Sequence, residues 1–151
     1  MIRVICVGRI KEKYLSEAIL EYSKRIKKYT NLEIIELNDS SIENPKLALE
    51  QEAVLINRHI KDKDFVITLE IEGNELSSIE FSKKIDQIQI LNSNIVFVIG
   101  GSYGIDQQIK NRANYKISFS RMTFPHQLFR VILLEQIFRA YKILNNEKYH
   151  K

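Results

Sequence analysis

Short apolar runs alternate along the chain with longer stretches in which apolar residues recur at helical spacing. Each run is followed by one of these amphipathic stretches, and this alternation is typical of an α/β fold with a parallel sheet. Five strands are predicted, at 2–7, 32–37, 65–71, 95–99 and 115–119. The first four helices are predicted around Leu15–Tyr29, Leu49–Ile60, Phe81–Leu91 and a short stretch ending at Ile109. No internal repeat is visible.

The last predicted helix, between Leu128 and Leu144, is apolar on nearly every side. A helix at a protein surface normally has one apolar stripe, so this helix must be covered by its own fold or by a second subunit. Its few charged side chains are costly to bury unless they are paired. We therefore expect Arg130, Glu135 and Arg139 to reach partners, solvent or a ligand.

Two helix starts carry capping signals. Asn44 precedes Pro45, which combines a capping side chain with a proline in the first turn of the helix. Ser77 and Glu80 have the spacing of a capping box, in which side chain and backbone satisfy each other at the helix start. These signals place the beginnings of the second and third helices.

The chain has 151 residues, a length that normally makes one domain with a sizeable core. Its composition, 44% hydrophobic and 28% charged, is that of an ordinary soluble globular protein. The formal net charge of +4 permits a polyanionic partner without requiring one. Cys6 is the lone cysteine, so no disulfide framework is expected. No signal peptide or membrane-spanning stretch is recognised, and we expect a cytoplasmic protein without membrane association.

The predicted fourth strand runs into a glycine turn, Gly100-Gly101-Ser102-Tyr103-Gly104. Ligands of open α/β sheets bind at the carboxyl ends of the strands, and glycines there let the backbone approach a nucleoside closely. The spacing is neither the dinucleotide fingerprint nor a phosphate loop with its lysine, so a tight turn with positive φ is the competing interpretation. The third and fifth strands end near Leu69 and Phe119, and their ends surround one crevice if these strands are neighbours.

Specific motifs are spread over the whole chain. They are Val7–Lys11, Thr68–Gly73, Val98–Gly104, Ile117–Gln127, Arg130–Val131, Glu135–Ala140 and the terminal Tyr149-His150-Lys151. Together they closely resemble the RlmH family of bacterial ribosomal RNA methyltransferases. The resemblance implies a homodimer of single SPOUT-type α/β domains, 1–151, each with a parallel-sheet core and a C-terminal trefoil knot. It also implies S-adenosylmethionine as methyl donor and N3 of a pseudouridine in 23S ribosomal RNA, on the assembled ribosome, as target.

The family pattern implies where the cofactor binds. Its contacts are expected at Leu69, at Gly100 and along Phe119, Ser120, Arg121, Met122, Thr123 and Phe124. The apolar side chains offer a surface to a flat base, and the hydroxyls of Ser120 and Thr123 offer hydrogen bonds. Ordinary core packing is the alternative interpretation of Phe119, Met122 and Phe124.

The implied reaction requires loss of the weakly acidic N3 proton, through a nearby base or through cations that stabilise the anion. His150 is the preferred base, because imidazole titrates near neutral pH and the Tyr-His terminus matches the family. Tyr149 is a candidate for stacking on the flipped base, and Arg130 for binding phosphate or an oxyanion. The alternatives are a frayed terminus and a pair between Arg130 and Glu135 within the helix.

His126, which follows Pro125, is interpreted as a helix-start or loop residue, and no ligand spacing predicts a metal site. RNA contacts are expected from scattered basic residues, namely Arg9, Lys11, Lys13, Arg112, Lys116, Arg121, Lys148 and Lys151. Two other functions stay open. One is a catalytically silent ribosome-binding module on the same fold, and the other is a small α/β enzyme or binder for a different nucleotide.

Overall fold

The predicted alternation of strands and helices extends along the whole chain, whose computed structural model describes residues 1–151. The strands are β1 (Ile2–Val7), β2 (Leu32–Leu37), β3 (Phe65–Glu75), β4 (Ile95–Ile99) and β5 (Tyr115–Ser118). The helices are α1 (Lys13–Ile26), α2 (Pro45–Asn57), α3 (Ser78–Leu91), α4 (Gln107–Arg112) and α5 (His126–Leu144). The prediction of an α/β fold is confirmed. No helix is both long and apolar enough to cross a bilayer.

All five strands pair in parallel, and their order across the sheet is β2-β1-β4-β3-β5. Side chains alternate between the faces of a strand, and the central strands β1 and β4 are buried on both. Val4 and Phe97 belong to a core that includes residues of α1, α3 and α5, whereas Ile5 and Val98 belong to a second core with α2 and α4. The C-terminal trefoil knot implied by the family resemblance stays a prediction.

The third strand is longer than predicted. It continues to Glu75 instead of ending at Ile71, and it pairs with β5 in two stretches separated by an irregularity. Gly73 lies where the two strands are closest, because a Cβ at that position would be 2.5 Å from the carbonyl carbon of Ile117. Acidic and amide side chains dominate the extension, and they hide it from the apolar pattern.

Both predicted helix starts are confirmed. The Asn44 side chain accepts a hydrogen bond from the backbone N–H of Leu47 at 3.2 Å. The Ser77 hydroxyl accepts from the backbone N–H of Glu80, whose carboxylate in turn accepts from the backbone N–H of Ser77 at 2.7 Å. Each arrangement satisfies N–H groups that a helix start otherwise leaves without a partner.

The apolar helix α5 is covered mainly by its own chain. It packs between α1 and α3 over the sheet. Its buried apolar residues are Leu133, Leu134, Ile137, Phe138, Ala140 and Tyr141. Leu128 is the exposed large apolar residue of this helix. Coverage by the fold therefore accounts for most of the apolar surface, without a second subunit.

A buried arginine ties the start of α5 to the ends of β1 and β2. The Arg130 side chain is 2% exposed, and its Nη1 donates to the Glu36 carboxylate at 2.8 Å. Its Nη2 donates to the carbonyl oxygens of Val7 at 2.9 Å and Gly8 at 2.7 Å. The Nε group is buried without a partner. Because two of its three nitrogens are bonded across the sheet edge, Arg130 fixes how α5 sits on the sheet.

The loop after β1 is held by Glu36, which also bonds Arg130, and by Gln127 of α5. Gly8 has φ +91°, a conformation that favours glycine. The backbone N–H of Ile10 donates to Glu36 at 2.7 Å, and that of Lys11 donates to the Gln127 side chain at 3.0 Å. The basic segment that starts at Arg9 is therefore anchored on β2 and on the first turn of α5.

We expect truncation of the α5 core to be costly. Leu133 is fully buried, so Leu133→Ala removes packed methyl groups and leaves a cavity, which lowers the free energy of unfolding by about 3 kcal/mol. Leu91→Ala is the matched control, since Leu91 is 84% exposed and its truncation changes stability by less than about 0.5 kcal/mol. Urea titration followed by circular dichroism measures both. Equal losses for the two variants would contradict this packing.

A second expectation concerns the Arg130 clamp. Arg130→Met leaves the carbonyls of Val7 and Gly8 without their donor and breaks a buried ion pair, so we expect a loss of about 3 kcal/mol. Lys13→Met breaks an exposed pair with Glu17 and costs less than about 0.5 kcal/mol. The same urea titration compares them. An Arg130→Met variant as stable as the parent chain rules out the clamp as a source of stability.

Candidate functional site

The carboxyl ends of β3, β4 and β5 meet at one edge of the sheet, because these three strands are neighbours. The crevice expected if these strands are neighbours is present, as a cavity of about 350 Å³. Its walls are the three strand ends, the glycine turn at 100–104, the loop at 119–124 and the start of α5. A volume of this size is within the range of small-molecule sites.

The glycine turn is both tight and part of the cavity wall. A Cβ on Gly100 would lie 2.2 Å from the carbonyl oxygen of Gly104, so no larger residue fits there. Gly104 has φ +87°, and its N–H donates to the carbonyl of Gly101 at 3.0 Å. The two interpretations of these glycines are therefore compatible. The backbone makes a tight turn, and the turn lines the cavity.

Hydrogen bonds give the loop at 119–124 a defined shape. The Ser118 hydroxyl donates to the carbonyl of Ser120 at 3.1 Å, and the backbone N–H of Met122 donates to the Ser120 hydroxyl at 3.0 Å. Met122 is 74% exposed and borders the cavity, which excludes the core-packing interpretation for this residue. The loop thus presents Met122 to the cavity rather than to the core.

Two aromatic side chains of the same loop are held by contacts with helices. Phe119 packs edge-on against Phe129 of α5, with ring centroids 5.1 Å apart, and against Phe81 of α3. Phe124 stacks on Phe129 at 5.9 Å. Both rings therefore serve packing and also form part of the cavity wall. Core packing and a place in the cavity wall are therefore compatible for Phe119 and Phe124.

The structure brings together most of the residues that the family resemblance assigns to the cofactor. Those that line the cavity are Leu69, Gly100, Phe119, Ser120, Met122, Thr123 and Phe124. Arg121 is in the same loop but is exposed and does not line the cavity. A cofactor contact by the Arg121 side chain therefore stays a prediction.

The cavity also contains charged and apolar groups that the sequence analysis did not assign. Glu70 accepts a hydrogen bond from the Thr68 hydroxyl at 2.6 Å and pairs with Lys110 of α4 at 3.4 Å. Ile71 and Tyr103 complete the rim. The position of Glu70 and Ile71 at the end of a predicted strand could have indicated that they line the cavity. Nothing near Lys110 in the sequence indicates this for Lys110.

His126 begins α5, as its interpretation as a helix-start residue predicts, and its side chain also lines the cavity. It is half-buried. Burial and the nearby Arg130 cation lower its pKa below the ordinary histidine value, and Glu52 opposes this shift. At neutral pH the imidazole is therefore uncharged and able to accept a proton. Its position after Pro125 in the sequence predicts no functional role.

The C-terminal candidates lie elsewhere. The Tyr149 hydroxyl donates to Glu135 at 3.0 Å, its ring packs beneath the Arg139 guanidinium, and His150 lies 3.3 Å from that guanidinium. Burial and the Glu135 carboxylate raise the pKa of Tyr149 to about 12. Glu135 is nine residues beyond His126, or about 14 Å along the helix. The terminus is packed rather than frayed, and it does not reach the cavity of its own chain.

Arg130 also has a different setting from the one expected. It does not line the cavity, and its Nη groups bond Glu36 and two backbone carbonyls rather than Glu135. Glu135 pairs instead with Arg139 at 2.6 Å. In this structure the Arg130 guanidinium holds the sheet edge together, and its binding of phosphate or an oxyanion stays a prediction.

One of the basic residues expected to contact RNA has a structural role. The Arg112 guanidinium donates to the backbone carbonyls of Lys61, Asp62 and Asp64, between 3.0 and 3.3 Å. It joins the end of α4 to the turn before β3. No group of three or more His, Cys, Asp or Glu side chains is placed to hold a metal ion.

Comparison with known proteins gives consistent matches over the full chain. The family described as "Predicted SPOUT methyltransferase" matches residues 1–150. Ribosomal RNA large subunit methyltransferase H of Clostridium botulinum (strain Loch Maree / Type A3) is 53% identical over 99% of both chains. Ribosomal RNA large subunit methyltransferase H 1 of Clostridium perfringens (strain SM101 / Type A) is 54% identical over the same share.

A solved structure shows the same fold at low sequence identity. A probable methylase family protein from Haemophilus influenzae Rd KW20 superposes with a TM-score of 0.60 and 15% identity, covering 99% of this chain and 70% of that one. SPOUT methyltransferases use S-adenosylmethionine as methyl donor. From the full-length matches and the shared fold, the chain belongs to the SPOUT methyltransferases and, within them, to the RlmH family.

Proposed function

We propose that this SPOUT methyltransferase transfers a methyl group to N3 of a pseudouridine in 23S ribosomal RNA on the assembled ribosome, with S-adenosylmethionine bound in the sheet-edge cavity. The observation that carries the proposal is the convergence of Leu69, Gly100 and the 119–124 loop on that cavity. These segments are far apart in sequence. The full-length similarity to two clostridial proteins named ribosomal RNA large subunit methyltransferase H supports RNA as the substrate class.

The residues that line the cavity fit this cofactor. Leu69, Phe119 and Phe124 form an apolar wall for a flat base, while the glycine turn brings backbone groups to the same space. Hydroxyls of Ser120 and Thr123 supply polar contacts. When bound, the cofactor supplies an activated methyl group on a sulfonium. The chain itself positions the two reactants and excludes water, which is most of the catalysis that such a transfer requires.

RNA binding is assigned to basic side chains around the cavity. Arg9 and Lys11 are exposed on the anchored loop after β1, and Lys13 is exposed at the start of α1. Gln127, which holds that loop, directly follows the cavity-lining His126. Arg121 is exposed on the cavity loop. Fixed positions reduce the ordering cost of gripping a phosphate backbone, so these side chains are suited to the task.

A homodimer is part of the same proposal. Ile71, Tyr103 and Met122 at the cavity rim are large apolar side chains that stay exposed, as is Leu128 on the adjoining first turn of α5. A second copy that covers this rim removes apolar surface from water. The stacking role expected of Tyr149 also needs a second copy, because Tyr149 does not line the cavity of its own chain.

The function is tested with tritiated S-adenosylmethionine. The purified chain is incubated with ribosomes from a strain that lacks its own copy of the enzyme, and the labelled nucleoside is mapped by digestion and chromatography. We expect label on N3 of a single pseudouridine of 23S RNA. Association with ribosomes without any calorimetric binding of S-adenosylmethionine would instead support the catalytically silent ribosome-binding module.

The cofactor location is tested by a matched pair of substitutions. Ile71→Lys places a long cation at the cavity rim, where it blocks the apolar wall and repels a sulfonium, so we expect at least about tenfold weaker cofactor binding. Ile90→Lys is the control, since Ile90 is also exposed but lies near the end of α3, at the opposite edge of the sheet. Calorimetry measures both dissociation constants. Equal affinities would place the cofactor outside this cavity.

The dimer is tested by charge at its proposed centre. Leu128→Glu buries a carboxylate against apolar side chains of the second copy, so we expect the variant to be monomeric at micromolar concentration while the parent chain is dimeric. Leu91→Glu, on the opposite edge, leaves the dimer intact. Light scattering coupled to size exclusion reports the masses. A monomeric parent chain refutes the proposal.

A further inference from the structure

The cavity is lined by few groups that can take up a proton. The titratable side chains in its wall are Glu70, Glu72, Tyr103, Lys110 and His126. Lysine and tyrosine carry their protons at neutral pH, and a carboxylate is a weak base there. Glu70 is, in addition, tied to Thr68 and Lys110. His126 is the lining residue whose ordinary pKa lies near neutrality.

The surroundings of His126 keep its imidazole in the basic form. Burial disfavours the imidazolium, the Arg130 cation one helical turn away adds repulsion, and the two effects lower the pKa. Glu52 of α2, itself buried, acts in the opposite direction and favours the imidazolium. Across the cavity, Glu70 and Lys110 neutralise each other and Glu72 is exposed. A proton accepted by His126 is therefore tolerated beside Glu52 and lost again to solvent.

The backbone fixes where this imidazole is. His126 is the first residue of α5 and follows a proline, whose ring restricts the chain at the helix start. Phe124 and Phe129, on either side of it in sequence, stack on each other and line the same cavity. Four residues later, Arg130 clamps the helix to β1 and β2. A side chain placed in this way is held without needing a ligand.

We propose that His126 is the catalytic base of the methyl transfer, an inference that rests on the proposed function. The unprotonated imidazole nitrogen accepts the N3 proton of the target base. The electron pair left on N3 forms the new bond to the methyl carbon, and the carbon–sulfur bond breaks with its electrons going to sulfur. The products are the methylated base, S-adenosylhomocysteine and an imidazolium. The imidazolium then releases its proton to water, since the side chain is half-exposed.

This assignment differs from the expectation that His150 is the base. Within one chain His150 lies beside Arg139, beyond the middle of α5, whereas His126 is part of the cavity wall. A base must come within hydrogen-bond reach of the proton that it removes. Among the histidines of one chain, His126 is the one that borders the cavity.

The test compares His126→Gln, which keeps polarity and approximate size but cannot take up a proton, with His59→Gln and His150→Gln. His59 is the control, since it lies in the turn after α2 and is bonded through its backbone alone: its carbonyl accepts from Arg3, and its N–H donates to the carbonyl of Ile56. Single-turnover methyl transfer to ribosomes is followed from about pH 5.5 to about pH 9.5. Calorimetry measures cofactor affinity for each variant, and an NMR titration of the unliganded protein measures the His126 pKa.

We expect His126→Gln to bind the cofactor as tightly as the parent chain but to transfer methyl about 100-fold more slowly at neutral pH. The parent rate should rise with pH and level off above the measured His126 pKa. The variant rate should keep rising instead, because hydroxide in solution takes over the proton transfer. His59→Gln should match the parent chain throughout.

Three results overturn the inference. The first is that His126→Gln transfers methyl at the parental rate and with the parental pH profile. The second is that His126→Gln loses cofactor affinity, which would make His126 a binding residue. The third is loss of the pH response in His150→Gln alone. If the parent chain transfers no methyl group to 23S RNA, the proposed function fails and this inference fails with it. If both the parent chain and His126→Gln transfer methyl normally, the inference is refuted and the proposed function is not.

Discussion

The buried Arg130 guanidinium is the interaction on which the arrangement of this protein depends. It is buried on a helix that is apolar on nearly every side, where an unpaired cation is strongly unfavourable, and it is stabilised by the ends of β1 and β2. The bonds to Val7, Gly8 and Glu36 determine how the first turn of α5 lies on the sheet. That turn carries His126, Gln127 and Phe129, so the same clamp shapes the cavity wall and anchors the loop after β1.

Close backbone approach is the second constraint. Gly100 lies against the carbonyl of Gly104, and Gly73 lies against the backbone of β5. At both places a Cβ would overlap main-chain atoms, and at Gly100 this backbone is part of the cavity wall. Side chains add the apolar part, with Phe129 supporting Phe119 and Phe124 from the helix. A ligand at this edge meets a surface whose shape is set largely by backbone geometry and is therefore organised before binding.

Much of this could be predicted from local sequence, because the responsible interactions are local. Periodicity identified all ten elements, and the Asn44 and Ser77 caps act within one helical turn. What escaped prediction depends on distance along the chain. The partners of Arg130 lie 94 or more residues away, and the β3 extension is stabilised by pairing with β5. His126 was correctly placed at a helix start, but nothing beside it in sequence shows that it borders a cavity.

The basic loop after β1 and the cavity wall lie close together in this chain, and their closeness constrains how the enzyme works. The cavity proposed for the cofactor, the basic loop proposed for RNA and the proposed base all lie in one domain. The anchored loop with Arg9 and Lys11 meets the cavity wall through Gln127, which follows His126 directly. RNA held by that loop is thus held next to the proposed base. Binding and proton transfer then depend on the same turn of α5, and a change in the clamp that positions this turn alters both together.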